Sequence, residues 1–264
     1  MRRFLIALQF LTIFPVKISA KGARLPDGQR FASGEKSEIK GKDFGASLLY
    51  FPLVGLLIGL LLCLGAFLFS FLPALIKGAI ILIISIFITG GIHLDGFADT
   101  CDGFYGNRPK ERILEVMRDS RIGAMGVIGI VSLLLLKFSL IVSLPERLLW
   151  KALIEMAVFA RWSQALASSI SCYARQEGKA RYFIEYAGNK EILLATLFTL
   201  GVFFLLLKMN GLILFLASLL PVFLFINFTK RKIGGMTGDT IGATNEIAET
   251  GLLFFNLIYG LCVY

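Results

Sequence analysis

The chain of 264 residues holds one histidine, and that scarcity removes whole classes of chemistry. A multi-histidine metal centre is excluded, and so is the HExxH helix of a zinc protease. Ser-His-Asp catalysis would have to use His93, and no serine stands in a nucleophile-elbow pattern. No GxxxxGK[ST] segment is present, which excludes a P-loop nucleotidase. The four cysteines (Cys63, Cys101, Cys172, Cys262) show neither CxxC nor metal-ligand spacing, so no disulfide framework or thiolate site is implied. No convincing internal repeat is seen, and one domain is expected over 1–264.

What the chain has in excess is apolar sequence. It is 56% hydrophobic, against about 45–50% in an ordinary globular domain. The excess lies in blocks of the length a bilayer requires, roughly 20 residues. Seven such segments stand out, at about 46–70, 74–94, 123–144, 148–171, 191–207, 211–228 and 247–264. The fourth is the weakest, because Glu155, Arg161 and Gln164 interrupt it. The expected fold is therefore an all-α, polytopic integral membrane bundle of about seven transmembrane helices. The run Phe4–Val16 is too short to cross and lacks a cleavage-site pattern, so it is expected as an interfacial or re-entrant helix. The polar stretch 17–43 is expected as a mobile loop.

Net charge is +9, which in a soluble protein would point to nucleic acid. Here orientation explains it, and no nucleic-acid partner is expected. If the N-terminus is inside and seven spans alternate, the inner segments carry 21 of the 27 Lys and Arg residues. The positive-inside rule is satisfied without adjustment. Membrane lipid is the remaining basic-surface partner.

The chemistry-bearing residues gather at the inner ends of the spans. The segment Gly90-Gly91-Ile92-His93-Leu94-Asp95-Gly96-Phe97-Ala98-Asp99-Thr100-Cys101-Asp102-Gly103 ends a long apolar run. On a helix Asp99 lies roughly 40° from Asp95, and Asp102 about 20° on the other side. Three anions on one face need a cation among them, and oxygen ligation suits Mg²⁺. A second cluster, Arg118-Asp119-Ser120-Arg121-Ile122-Gly123, has the makings of a phosphate clamp. A third runs Gly234-Gly235-Met236-Thr237-Gly238-Asp239-Thr240-Ile241-Gly242-Ala243, then Glu246 and Glu249. Its glycines could present backbone N–H groups to an anion. Asp239 and Glu246 are seven residues apart, hence on one helical face. Arg161, with Glu155 below it, is the fourth, either an interhelical tether or a functional intramembrane charge.

These three motifs, with Phe10-Leu11-Thr12-Ile13-Phe14-Pro15, closely resemble the adenosylcobinamide-GDP ribazoletransferase (cobalamin synthase) family, collinearly over nearly the whole chain. Met125 departs from the histidine found there in some members, so that position is given no role. The resemblance implies Mg²⁺-dependent transfer of the adenosylcobinamide-phosphate group from adenosylcobinamide-GDP to α-ribazole or its 5′-phosphate, with GMP leaving. It implies a multi-pass protein of a bacterial or archaeal inner membrane, its active site facing the cytoplasm, with assembly of several copies left open. The expected catalytic residues are His93, Asp95, Asp99 and Asp102. Asp95, Asp99, Asp102, Asp239 and Glu246 are expected on the metal. Arg118, Asp119, Arg121, Thr237, Gly238 and Arg161 are expected on substrate. Two competing classes remain. A CDP-alcohol phosphotransferase-like enzyme would need DGxxAR, which Asp95-Gly96-Phe97-Ala98-Asp99 does not give. An ion or proton transporter would favour carboxylates near mid-membrane rather than at one boundary.

Overall fold

The computed structural model describes residues 1–15, 41–178 and 180–263. Most of the expected 17–43 loop lies outside the described residues. In chain order the elements are α1 (Arg2–Leu11), α2 (Gly41–Ser47), a 3₁₀ turn (Leu48–Tyr50), α3 (Phe51–Leu68), α4 (Ala74–Thr89), α5 (Ile92–Phe104) and α6 (Lys110–Val116). There follow α7 (Ala124–Ser143), α8 (Glu146–Ser169), α9 (Arg181–Glu185), α10 (Asn189–Leu207), α11 (Met209–Ile233) and α12 (Gly238–Val263). The protein is all-α. Each of the seven expected segments holds a long helix. Among the described residues five stretches are long and apolar enough to cross a membrane: Gly41–Leu68, Ala124–Ser143, Asn189–Leu207, Met209–Ile233 and Gly238–Val263. The pair α4 and α5 makes a sixth if counted as one span.

That pair is where the structure departs most from the expected span 74–94. The chain turns by 90° between α4 and α5. Gly90 and Gly91 both adopt left-handed φ, +63° and +70°, which a side chain would resist. Gly90 N–H donates to the Phe87 carbonyl and Gly91 N–H to the Ile86 carbonyl, both at 3.1 Å. This is the Schellman pattern, and it satisfies carbonyls a helix end leaves unpaired. α5 therefore lies across the end of the bundle instead of continuing through it.

The segment with the weakest apolar signal, α8, is the most enclosed. Its polar residues Glu155, Arg161, Ser163, Gln164 and Ser168 are all buried inside protein. It packs chiefly against α3 and α12. Gly55 and Gly59 allow the α3 contact: a Cβ at Gly55 would stand 2.4 Å from the Ala157 carbonyl oxygen, and one at Gly59 2.8 Å from Ile154 Cα. Small residues one turn apart let backbones meet where lipid offers no hydrophobic drive.

α1 is too short to cross and packs onto the bundle with Ile6, Ala7 and Leu11 buried. Ile13 N–H donates to the Ile88 carbonyl at 2.9 Å, tying the segment after α1 to the end of α4. The loops before α9 and α12 meet at the same end, where Tyr173 bridges Met236. At the opposite end the turns are short, and Lys77 pairs with Glu146 at 2.6 Å.

Candidate active site at one end of the bundle

The glycines of the first and third motifs act by close approach. A Cβ on Gly96 would lie 2.8 Å from Asp239 Cα, and one on Gly242 3.3 Å from His93 Cα. α5 thus lies directly on the first turns of α12, and Asp95 and Asp99 flank the contact with Asp239. Burial, then Asp239 and Asp95, push the Asp99 carboxyl up to about 7, with Arg175 opposing. Carboxylates that repel one another in this way suit a cation among them. Among the described residues no three acidic, His or Cys side chains stand close enough to enclose a metal ion by themselves. Among the described residues the cation seated here is Arg175, paired with Asp239 at 2.7 Å. Its guanidinium also donates to the Met117 carbonyl at 3.3 Å.

A cavity of about 240 Å³ opens beside this cluster. Its lining includes Asp95, Arg175, Gly238 and Asp239, the polar His93 and Gln164, and the aromatic Phe10, Phe51 and Phe183. His93 Nδ1 lies 3.2 Å from Gln164 Nε2. Among the described residues the buried His93 Nε2 and Gln164 Oε1 have no hydrogen-bond partner.

The remaining expected residues are placed differently. Asp102 shares the α5 face but turns to α7: Gly123 N–H donates to its Oδ2 at 2.7 Å and Gly126 N–H to its Oδ1 at 2.8 Å. It caps the N-terminus of α7 from another helix. Thr237 caps α12, with Thr240 N–H donating to its Oγ1 at 3.2 Å and its own N–H donating to Thr240 Oγ1 at 2.8 Å. Arg118 and Arg121 are exposed and do not line the cavity. Arg121 holds Asp119 at 2.9 and 3.1 Å beside a separate groove of about 470 Å³. Hydrogen bonds from Arg121 keep the Asp119 carboxyl down at about 2.

Glu246 and Arg161 lie elsewhere again. Glu246 shares the helical face of Asp239, but two turns of α12 separate them by about 10 Å. It accepts from Lys137 at 2.8 Å. Lys137 also pairs with Glu249, and Glu249 with Arg161. All four side chains are buried. Arg161 is thus not tethered to Glu155, which instead accepts from Asn256 Nδ2 at 3.2 Å.

Spacing in the sequence does not single out several contributors. Arg175 reads only as inner-loop charge. Gln164 reads as an interruption, Phe51 and Phe183 as ordinary apolar residues, and Phe10 only as part of the N-terminal motif. Lys137 had a readable signal, a lone cation within an apolar span, which predicts a buried partner.

A family model described as cobalamin-5-phosphate synthase matches residues 3–257. Curated relatives bear the name adenosylcobinamide-GDP ribazoletransferase. One from Clostridium acetobutylicum is 35% identical over 94% of this chain and 93% of its own. One from Acetivibrio thermocellus is 35% identical over 99% and 98%. One from Alkaliphilus metalliredigens is 38% identical over 98% and 96%. No solved structure matches the chain. Motif order, helix arrangement and end-to-end similarity lead to one assignment: the chain belongs to the cobalamin-5-phosphate synthase family.

Proposed function

We propose that this protein is an adenosylcobinamide-GDP ribazoletransferase, which closes the nucleotide loop of cobalamin by transferring adenosylcobinamide phosphate onto ribazole or its 5′-phosphate. The observation that carries this reading is the meeting of Asp95 and Asp99 on α5 with Asp239 on α12, beside Arg175, at the mouth of a cavity. A pyrophosphate donor needs cationic charge and a rigid frame, and this end of the bundle offers both.

In the proposed reaction a ribose hydroxyl oxygen attacks the phosphorus that bears the cobinamide side. A new P–O bond forms, the bond to the bridging oxygen breaks, and GMP leaves with that oxygen. Arg175 shifts from Asp239 to a phosphate oxygen and neutralises charge as it develops. With the Gln164 amide assigned as the donor to Nδ1, His93 carries its hydrogen on Nε2, buried beneath the cavity surface. Removal of the hydroxyl proton then falls to a carboxylate, and Asp95, exposed at the cavity, is the residue proposed.

The reaction is proposed to require Mg²⁺. Mg²⁺ is commonly held by one or two carboxylates with substrate phosphates and waters, not by a closed protein cage. Asp99 and Asp239 fit that demand, their oxygens being the right donors and their mutual repulsion favouring a cation, while Asp95 is left uncoordinated as the base. When bound, it would supply charge neutralisation on the pyrophosphate. Asp102 and Glu246 are left out of this set, because their oxygens serve α7 and Lys137. The site is proposed to face the cytoplasm, following the basic inner segments.

The test is incubation of the purified protein with adenosylcobinamide-GDP, ribazole and Mg²⁺. GMP and the joined corrinoid should appear together, and neither should form once Mg²⁺ is chelated. Ion flux in proteoliposomes with no product would favour a transporter instead.

A further inference from the structure

We infer that the cavity is the acceptor's subsite: it takes a flat aromatic base on Phe10, Phe51 and Phe183 and turns the attached ribose toward His93, Gln164 and Asp95. This rests on the reaction proposed above and says which substrate enters the bundle.

Size decides first. At about 240 Å³ the cavity is smaller than the roughly 300–1,000 Å³ of drug-sized ligand pockets. A nucleoside-sized group fits, and a corrin ring does not. The donor must therefore present its pyrophosphate at the mouth and keep its corrinoid outside.

Chemistry then sets the orientation. The three phenylalanines come from α1, α3 and α9 and cluster, Phe10 roughly parallel to Phe51 and Phe183 edge-on to Phe51. Phe10 lies 4.5 Å from Phe183 and 6.1 Å from Phe51 between ring centroids, and Phe51 lies 5.6 Å from Phe183. A planar heterocycle gains stacking there at little cost in ordering. Part of the lining is polar. Among the described residues the buried His93 Nε2 and Gln164 Oε1 have no hydrogen-bond partner, and both residues line the cavity together with Asp95. Buried polar atoms are nearly always hydrogen-bonded, so a small side-chain rotation that brings these two atoms to the cavity surface offers a donor and an acceptor to a hydroxylated ligand. A sugar supplies both partners.

The experiment measures equilibrium binding of ribazole alone to the purified protein in detergent, then the KM of each substrate. The variants are Phe10→Leu, Phe183→Leu and Gln164→Leu. Phe10 is only half-buried, so its variant keeps the packing if Phe183→Leu does not fold. Loss of an aromatic partner should raise the ribazole Kd and KM about 10-fold, with the donor KM within about twofold. Gln164→Leu should weaken ribazole while leaving binding of the free benzimidazole base unchanged. An unchanged ribazole Kd in Phe10→Leu, or a rise confined to the donor KM, overturns the subsite. Ribazole binding by the parent protein without any transfer to it counts against the reaction and leaves the subsite standing.

Discussion

The bundle contains two clusters of charge built from the same residue types, and they differ in balance. At its end, among the described residues, Asp95, Asp99 and Asp239 face one cation, Arg175, beside an open cavity. In its interior, Glu246 and Glu249 face Lys137 and Arg161, two against two, with every side chain buried. The interior cluster is balanced in charge and holds α7, α8 and α12 together. Among the described residues the outer cluster has more acidic than basic side chains. An intramembrane charge is therefore not by itself a functional site; the unneutralised set is the one with chemistry still to do. The same contrast weakens the ion-pathway reading, since Glu246 and Glu249 are already occupied by cations.

The comparison is broken most severely at the outer cluster. Asp95→Asn, Asp99→Asn or Asp239→Asn should lower transfer by about 10³-fold, because a metal-borne phosphoryl transfer draws several kcal/mol from its carboxylates. The variants should still insert and elute as folded protein, as measured by size-exclusion chromatography in detergent. Lys137→Met should do the reverse. Removing one partner of a buried ion cluster costs about 3–5 kcal/mol, seen as a lowered Tm and yield. Adding Glu246→Gln to Lys137→Met should restore much of that Tm, since it removes the stranded charge. Arg175→Ala should raise the donor KM about 10-fold, and Arg175→Lys should recover only part, because a lysine lacks the fork that grips two oxygens. The smallest effect is expected for Asp102→Asn. An amide oxygen still caps one of the two α7 N–H groups, so thermal unfolding should show a loss of about 1 kcal/mol and transfer should largely survive. Abolished transfer in a normally stable Asp102→Asn protein would return Asp102 to the acidic set.

Much of the fold was legible because bilayer length is a strong constraint: every one of the seven apolar segments holds a long helix. The helix carrying Asp95, Asp99 and Asp102 was legible from spacing as well. Periodicity fixes which residues share a face, but not what that face meets. So Asp102 was grouped with its neighbours although α7 claims it. Glu246 was grouped with Asp239 although two turns of helix carry it to Lys137. The bend at Gly90–Gly91 escaped because a glycine pair inside an apolar run reads equally as packing or as a turn. Arg175 escaped because its loop has no periodicity, and only the Tyr173–Met236 bridge carries it to Asp239.

The central claim is that carboxylates from α5 and α12 act together on a pyrophosphate at one end of the bundle. It is tested most directly by GMP release from adenosylcobinamide-GDP with ribazole, followed across a Mg²⁺ titration in the parent protein, Asp95→Asn and Asp239→Asn. The account predicts Mg²⁺-dependent release in the parent and almost none in either variant at any Mg²⁺ concentration. Near-parental release by both folded variants would contradict it.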